Sequence, residues 1–209
     1  MRPGRVIVIG GGEHARVLIE AIRASAPGHE LLGFVDPRNC EETTRHLATP
    51  RLGDEEALAR YAGALGILGF GALDARNRRV EAVERLTPLL GGWATVIHSS
   101  AWVSPSATVG AGTVIMAGAV VQTGARIGAH CVVNTGAVVE HDVVLDDHAQ
   151  LAPGVTLGGG ARIGRLAYIG LGAVVRDHTA VGAGATVGMG AVVVRDVADG
   201  LQVIGVPAR

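Results

Sequence analysis

Residues 103–145 read VSPSATVGAGTVIMAGAVVQTGARIGAHCVVNTGAVVEHDVVL, and in this stretch an aliphatic residue returns at every sixth position. The spacing continues without a slip from Val103 to Val193, and a small or modest side chain lies two residues before each aliphatic one. Residues two apart on a strand face the same side, so each hexad points one aliphatic and one small side chain inward. Because hexapeptide periodicity is typical of a parallel β-helix, we predict that fold for residues 99–209.

Glycine often follows the inward aliphatic residue of a hexad, as at Gly110, Gly128 and Gly170. A corner between two strands can require a positive φ, which glycine adopts without strain. The sequence therefore predicts glycine corners with positive φ at these positions. The chain also has 32 glycines and only 3% aromatic residues, which predicts a narrow core without large rings.

Residues 1–98 have a different pattern, in which short apolar runs alternate with helical periodicity. We predict strands at residues 6–9, 31–36 and 65–69, and helices at residues 16–25, 54–60 and 74–86. Strands that alternate with helices predict a small α/β domain with a parallel sheet.

The segment GGGEHA at residues 10–15 lies between the first predicted strand and the first predicted helix. Its spacing fits the dinucleotide fingerprint, and Asp36 lies about where the ribose-binding acid of that motif is expected. Glycines allow the backbone to approach a diphosphate, and a helix N-terminus offers unpaired N–H groups to it. Fewer than one hundred residues is short for two mononucleotide halves, so we predict a single nucleotide rather than NAD.

Composition excludes several classes of protein. The net charge is -1 and there is no long basic run, so we do not expect a nucleic-acid binder. No apolar stretch approaches the roughly 18 residues that span a membrane, and we expect a cytoplasmic protein without membrane insertion. Cys40 and Cys131 form no CxxC pair, so neither a disulfide framework nor a metal site is expected.

The two halves together resemble the sialic acid O-acetyltransferase and nucleotide-amino-sugar N-acetyltransferase family of bacterial glycan biosynthesis. The segments that carry the resemblance are GGGEHARV at residues 10–17, GFVD at 33–36, NTGAVVEHD at 134–142 and GVPAR at 205–209. The resemblance implies a Rossmann-like domain followed by a left-handed β-helix with three hexads per coil. It also implies acetyl-CoA as co-substrate, a UDP- or GDP-linked amino sugar as acceptor, and a homotrimer with active sites between subunits.

The resemblance further implies roles for individual residues. His141 is expected to be the catalytic base, oriented by acidic neighbours, so the predicted catalytic set is His141, Asp142 and Glu140. The residues expected to hold the nucleotide sugar are Gly10, Gly11, Gly12, Glu13, His14, Asp36 and Pro37. Those expected to contact acetyl-CoA are Asn134, Ala152, Gly159, Gly170, Leu171, Gly188 and Met189. The chain departs from the family at Glu13, where many relatives have glycine, and at Gln150, where some have a second active-site histidine.

The hexad register places His141 two residues after the inward Val139, at a corner where side chains point outward. Gly159 lies eighteen residues later, one coil above, and predicts a gap beside the imidazole. On the adjoining corner Ala152, Gly170 and Gly188 form a column that predicts a groove. We expect direct transfer, with His141 removing a proton from the acceptor amine while backbone N–H groups stabilise the oxyanion. Cys131 occupies an inward position and is a poor nucleophile candidate.

Three other functions stay open at this point. A γ-type carbonic anhydrase is also a left-handed β-helix, but His141 and His148 are seven residues apart on different corners and an N-terminal α/β domain has no place there. A non-catalytic sugar-nucleotide-binding scaffold would have the same repeat. O-acetylation of a sugar or sialic acid would require the same fold and a similar base.

Overall fold

The computed structural model describes residues 4–25, 28–38, 40–71 and 76–209. The chain forms two compact units, Met1–Ser99 and Ser100–Arg209. Within the described ranges, no helix combines the length and the apolar character that crossing a membrane requires.

The first unit contains a four-stranded parallel sheet with strand order β3-β2-β1-β4. The strands are β1 (Arg5–Ile9), β2 (Glu30–Val35), β3 (Arg51–Gly53) and β4 (Leu65–Leu68), and β5 (Val96–Ile97) follows near the end of the unit. The helices are α1 (Glu13–Arg23), α2 (Glu41–Leu47) and α3 (Arg76–Leu86), with 3-10 helices at Glu55–Tyr61 and Thr87–Leu89. Since parallel strands all end at one edge, the loops after β1, β2 and β4 meet there.

Most of the predicted elements of this unit lie within a residue or two of the observed ones, with two differences of consequence. Helix α1 begins at Glu13 rather than at Arg16, so the glycine loop is itself the N-terminus of the helix. Helix α2 and strand β3 were not predicted, because α2 buries only Thr43 and so has no apolar periodicity. The predicted start of the third helix at Asp74 lies outside the described residues.

The second unit consists of two-residue strands, which follow a six-residue spacing up to Val192–Val193 and end with one further strand. They are β6 (Trp102–Val103), β7 (Thr108–Val109), β8 (Val114–Ile115), β9 (Val120–Val121), β10 (Arg126–Ile127), β11 (Val132–Val133), β12 (Val138–Val139), β13 (Val144–Leu145), β14 (Gln150–Leu151), β15 (Thr156–Leu157), β16 (Arg162–Ile163), β17 (Tyr168–Ile169), β18 (Val174–Val175), β19 (Ala180–Val181), β20 (Thr186–Val187), β21 (Val192–Val193) and β22 (Gln202–Val203). From β6 to β21 every third strand pairs in parallel, and β22 pairs with β20, so the strands form the three faces of a β-helix. Val138 pairs with Thr156, eighteen residues later, which corresponds to three hexads per coil.

We call these faces 1, 2 and 3 in chain order. Face 1 contains β6, β9, β12, β15, β18 and β21, face 2 contains β7, β10, β13, β16 and β19, and face 3 contains β8, β11, β14, β17, β20 and β22. Every inward aliphatic residue from Ile115 to Val193 is at most 3% exposed. The small residues that precede them are buried as well, so the predicted narrow aliphatic core is present.

The corners differ from the prediction. Glycines that directly follow the aliphatic residue do not have positive φ; a Cβ on Gly110 would instead lie 2.6 Å from the amide nitrogen of Ala129 in the next coil. Positive φ occurs two residues further on, as at Gly124, where φ is 70°. The prediction of positive φ at the first corner position is therefore wrong, because close stacking of coils, not the turn, excludes a side chain there.

Candidate active site

His141 lies on the corner between β12 and β13, which we call the His141 corner (residues 122–124, 140–142, 158–160 and 176–178). Its side chain is 54% exposed, and its Nδ1 lies 3.0 Å from Oδ2 of Asp142. Asp142 adopts a φ of 59°, a conformation that aspartate tolerates better than most residues. Because a carboxylate accepts the hydrogen bond, Nδ1 is the donor and Nε2 keeps its lone pair.

Asp142 also determines the electrostatics of the imidazole. Its hydrogen bond raises the pKa of His141 above the usual value of 6.5, and the charges of Asp142 and Glu140 act in the same direction. Glu140 makes a different contact, since its Oε2 accepts the backbone N–H of His141 at 3.4 Å. Of the two predicted acidic partners, only Asp142 therefore holds the ring.

Gly159 lies directly beside the imidazole, as the hexad register predicts. A Cβ at Gly159 would lie 2.4 Å from Nε2 of His141, so the ring occupies the space that the missing side chain leaves. Gly159 belongs to the His141 corner and not to the column of Ala152, Gly170 and Gly188. Gly159 therefore leaves room for the imidazole of the base.

The remaining residues predicted to contact acetyl-CoA lie on the corner between faces 3 and 1, which we call the Leu171 corner (residues 116–118, 134–136, 152–154, 170–172 and 188–190). Ala152 is buried, and a Cβ at Gly170 would lie 2.7 Å from the amide nitrogen of Met189. The large apolar side chains that reach the surface are Leu171, 49% exposed, and Met189, 78% exposed, and Pro153 is exposed on the same corner. The exposed part of the predicted groove thus consists of these two side chains, whereas Ala152 and Gly170 allow the coils to stack.

Asn134 and Gly188 complete this column. Oδ1 of Asn134 accepts the backbone N–H of Thr135 at 2.8 Å, and a Cβ at Gly188 would lie 2.7 Å from Cγ2 of Ile204. Thr135 lies in the same coil as His141, six residues before it. At about 3.3 Å per residue, the Leu171 corner and the His141 corner of one coil are roughly 20 Å apart at most.

The predicted substrate-binding residues of the first unit surround a cavity of about 1080 Å³ at the carboxyl edge of its sheet. Six of the seven line it, namely Gly10, Gly12, Glu13, His14, Asp36 and Pro37. Ligands of open α/β sheets bind at this edge, outside the carboxyl ends of the strands.

The three glycines of the loop have different surroundings. Gly10 has a φ of 101°, which favours glycine. A Cβ at Gly11 would lie 2.4 Å from the ring of Phe34, so this glycine allows close packing and does not line the cavity. Gly12 is the N-cap of α1, and a Cβ there would meet only Nη2 of Arg38, at 3.9 Å.

His14 lies in the first turn of α1 and borders the cavity. Burial, assisted by the charge of Arg79, lowers the pKa of His14 to about 4, so the imidazole is neutral at neutral pH. Its Nε2 is buried and has no hydrogen-bond partner among the described residues. This atom is available to a ligand in the cavity.

Asp36 follows β2 and is only 3% exposed. Its Oδ2 accepts the N–H of Gly11 at 2.8 Å, and its Oδ1 accepts the N–H of Arg38 at 2.8 Å. The guanidinium of Arg38 also donates to both oxygens, from Nε at 3.2 Å and from Nη2 at 3.3 Å. Burial raises the pKa of Asp36, but these hydrogen bonds outweigh it and hold the pKa below its usual value.

Sequence reasoning missed several residues that line the cavity, among them Arg38, Phe70, Arg78 and Arg85. Arg38 could have been noticed from its place two residues after Asp36. Phe70 follows β4, at the same edge of the sheet. Arg78 and Arg85 lie on α3. In the sequence, arginines at these positions indicate only a solvent-exposed side of the helix, so no signal pointed to the cavity.

The β-helix and the nucleotide-sized cavity can be compared with known proteins. The family profile described as Bacterial transferase hexapeptide (six repeats) matches residues 106–141 and 124–159, which indicates a left-handed β-helix. PerB from Caulobacter crescentus, solved with CoA and GDP-perosamine, is 36% identical over 99% of this chain and 96% of its own, with a TM-score of 0.87. The acetyltransferase domain of PglB from Neisseria gonorrhoeae, solved with acetyl coenzyme A, is 35% identical over 100% and 99%, with a TM-score of 0.88.

The chain belongs to the nucleotide-amino-sugar N-acetyltransferase family. A further structure, the H141A mutant of the Caulobacter crescentus GDP-perosamine N-acetyltransferase, is 36% identical over 99% of this chain and 96% of its own, with a TM-score of 0.89. No protein among the curated sequences matches the chain. In the described part of this N-acetyltransferase, no group of three or more His, Cys, Asp or Glu side chains could hold a metal ion.

Proposed function

We propose that this acetyltransferase transfers the acetyl group of acetyl-CoA to the amino group of a nucleotide-linked amino sugar, with His141 as the general base. The observation that carries the proposal is the contact between His141 Nδ1 and Asp142, with Gly159 leaving room for the imidazole. The relatives support the chemistry, because PerB is solved with CoA and GDP-perosamine. The H141A and H141N mutants studied in that relative support the role of a histidine.

The reaction that follows from this geometry is a direct transfer. The amine nitrogen of the acceptor sugar attacks the thioester carbonyl while Nε2 of His141 takes a proton from that nitrogen, and Asp142 stabilises the resulting imidazolium. The C–N bond forms, the C–S bond breaks, and the CoA thiolate leaves and takes the proton from the His141 imidazolium. Backbone N–H groups are expected to stabilise the oxyanion. Cys131 is buried and its thiol donates a hydrogen bond to the backbone carbonyl of Asp146, so it is not needed as a nucleophile.

The first unit is proposed to be a Rossmann-like domain that binds the UDP or GDP part of the acceptor. Its strands β3-β2-β1 have the order of one mononucleotide-binding half, and β4 has the place of the first strand of a second half. The cavity at the carboxyl edge presents the glycine loop, neutral His14 and several arginines, which suit a diphosphate. Acetyl-CoA is proposed to lie against Leu171 and Met189 on the β-helix.

In a homotrimer with active sites between subunits, His141 of one copy could meet the Leu171 corner of another, where acetyl-CoA is proposed to lie. The outward positions of face 1 are nearly all apolar: Trp102, Val120, Val138, Thr156, Val174 and Val192. Trp102 and Val174 are exposed, and face 1 separates the His141 corner from the Leu171 corner. A second copy packed along face 1 would bury this stripe and could bring its Leu171 corner to His141. Light scattering should give a trimer; a monomer at micromolar concentration would contradict the shared site.

The activity is tested by incubating the protein with acetyl-CoA and a set of UDP- and GDP-linked amino sugars, followed by mass spectrometry. An added acetyl group that resists mild alkaline hydroxylamine indicates N-acetylation, whereas a labile one indicates O-acetylation. Binding of nucleotide sugars without any acetyl transfer would favour a scaffold and would contradict the proposal.

A further inference from the structure

We propose that Arg38 binds the diphosphate of the nucleotide sugar above the glycine loop, and that Asp36 is a positioning residue for Arg38 and the loop rather than a ligand of the ribose. This inference rests on the proposed function, since it assumes that a nucleoside diphosphate occupies the cavity of the first unit. It assigns Arg38 as a binding residue, and it gives Asp36 a role different from the one that the sequence predicts.

The position of the Arg38 guanidinium is the first argument. Nη2 lies 3.9 Å from where a Cβ of Gly12 would be, so the group lies beside the N-cap of α1. Gly12 makes no side-chain cap, and the first N–H groups of a helix have no intrahelical partners. A phosphate in the cavity beside Gly12 would therefore meet backbone donors on one side and the guanidinium on the other.

The guanidinium of Arg38 keeps hydrogen-bond donors that Asp36 does not use. Asp36 engages Nε and Nη2, and these hydrogen bonds raise the pKa of Arg38, so the group stays charged. Nη1 has no partner among the described residues and the side chain is 77% exposed. A guanidinium held along one edge by a carboxylate keeps donors on its other edge for a phosphate oxygen.

The carboxylate of Asp36 has its hydrogen-bond acceptor positions already occupied. Its two oxygens already accept four hydrogen bonds, from the backbone of Gly11, the backbone of Arg38 and the Arg38 side chain. A carboxylate offers about four acceptor positions, so none is left for a ribose hydroxyl unless a present bond breaks. Asp36 borders the cavity, but only 3% of it is exposed, so it presents little surface to a ligand.

Glu13 supplies a reason why this chain needs Arg38. Glu13 begins α1 beside the loop, and its carboxylate is exposed and lies 3.9 Å from Nη2 of Arg16. A negative charge at this point disfavours a diphosphate. Arg16 donates from Nη1 to Glu42 at 2.8 Å. Arg38 is also paired, with Asp36, but its guanidinium lies next to Gly12 and can offset the charge of Glu13 there.

The test is titration calorimetry of UDP and GDP against the full chain, followed by the matching nucleoside for whichever diphosphate binds. Arg38→Ala should weaken diphosphate binding about 10- to 100-fold, because charge-assisted hydrogen bonds are lost, and should leave nucleoside binding unchanged. In steady-state assays it should raise the KM for the nucleotide sugar and leave kcat and the KM for acetyl-CoA unchanged. Arg45→Ala is the matched control, since Arg45 is 75% exposed, pairs with Glu41 on α2 and does not line the cavity.

Asp36→Asn keeps an oxygen that can accept the Gly11 N–H but removes the charge that holds Arg38. It should weaken diphosphate binding in the wild-type background and cause a much smaller loss in the Arg38→Ala background, where Asp36 supports only the loop. An equal loss in both backgrounds, or weaker nucleoside binding, would mean that Asp36 acts on the ligand without Arg38 and would overturn the proposal. So would equal diphosphate affinities for Arg38→Ala and Arg45→Ala. A wild-type chain that binds neither UDP nor GDP would instead contradict the proposed function.

Discussion

The two units position their functional side chains by different means. In the β-helix, the place of a residue in its hexad decides whether it points inward, stacks at a corner or faces solvent, and His141 needs only its neighbour Asp142 and Gly159 one coil above. In the α/β unit, the loop is held by contacts between residues far apart in sequence, such as Gly11 with Asp36. A repeat thus fixes orientation locally, whereas a loop at a sheet edge depends on tertiary contacts.

The strongest test of this comparison is removal of the base from its corner. His141→Asn should lower kcat by about 10²–10⁴-fold, the usual contribution of a general base, and leave the KM for acetyl-CoA nearly unchanged. His178→Asn is the matched control, because His178 is exposed on the same corner and lies over Gly160. A loss of tenfold or less for His141→Asn would show that the proton leaves by another route.

Neighbouring glycines should separate activity from stability. Gly159→Ala would push a methyl group against His141 Nε2, which is a side-chain contact, and should lower kcat about 10- to 100-fold with little change in Tm. Gly158→Ala would place a Cβ 2.5 Å from the backbone nitrogen of Asp177, and should lower Tm by several degrees. Thermal unfolding and initial rates would check both; full activity in Gly159→Ala would mean that the ring position is unimportant.

The pH profile tests the pairing at the His141 corner. The base works as the neutral imidazole, so kcat/KM falls as pH decreases through the pKa of His141, which Asp142 raises above 6.5. Asp142→Asn removes the negative charge that stabilises the imidazolium, so the acid limb should move to lower pH. Asparagine also tolerates the positive φ of this position. If the acid limb of the kcat/KM profile is unchanged in Asp142→Asn, a group other than His141 titrates there.

The smallest effect is expected at the Leu171 corner. Leu171→Ala should raise the KM for acetyl-CoA about three- to tenfold through lost apolar contact, with kcat unchanged. Leu201→Ala is the control, since Leu201 is 52% exposed just before β22 and is not part of this corner. A substitution at Gly170 is a poorer probe, because its Cβ would collide with the stacked backbone. Equal effects of Leu171→Ala and Leu201→Ala would place acetyl-CoA elsewhere.

The sequence by itself determined the β-helix and its inward and outward positions, and the family resemblance added the eighteen-residue coil that places His141 beside Gly159. It could do so because a period-six pattern repeated over sixteen hexads leaves one register that buries every aliphatic side chain. It also located the glycine loop and Asp36, since glycine spacing after a buried strand is a local signal.

Only the tertiary structure decided what those residues contact. The sequence predicted positive φ for corner glycines that in fact allow coils to stack, because the distance to the next coil is not visible in one hexad. It also could not reveal that Asp36 is satisfied by Gly11 and Arg38, or that burial beside Arg79 keeps His14 neutral. Hydrogen bonding and desolvation depend on residues brought together from β1, β2, α1 and α3, and no local pattern encodes that proximity.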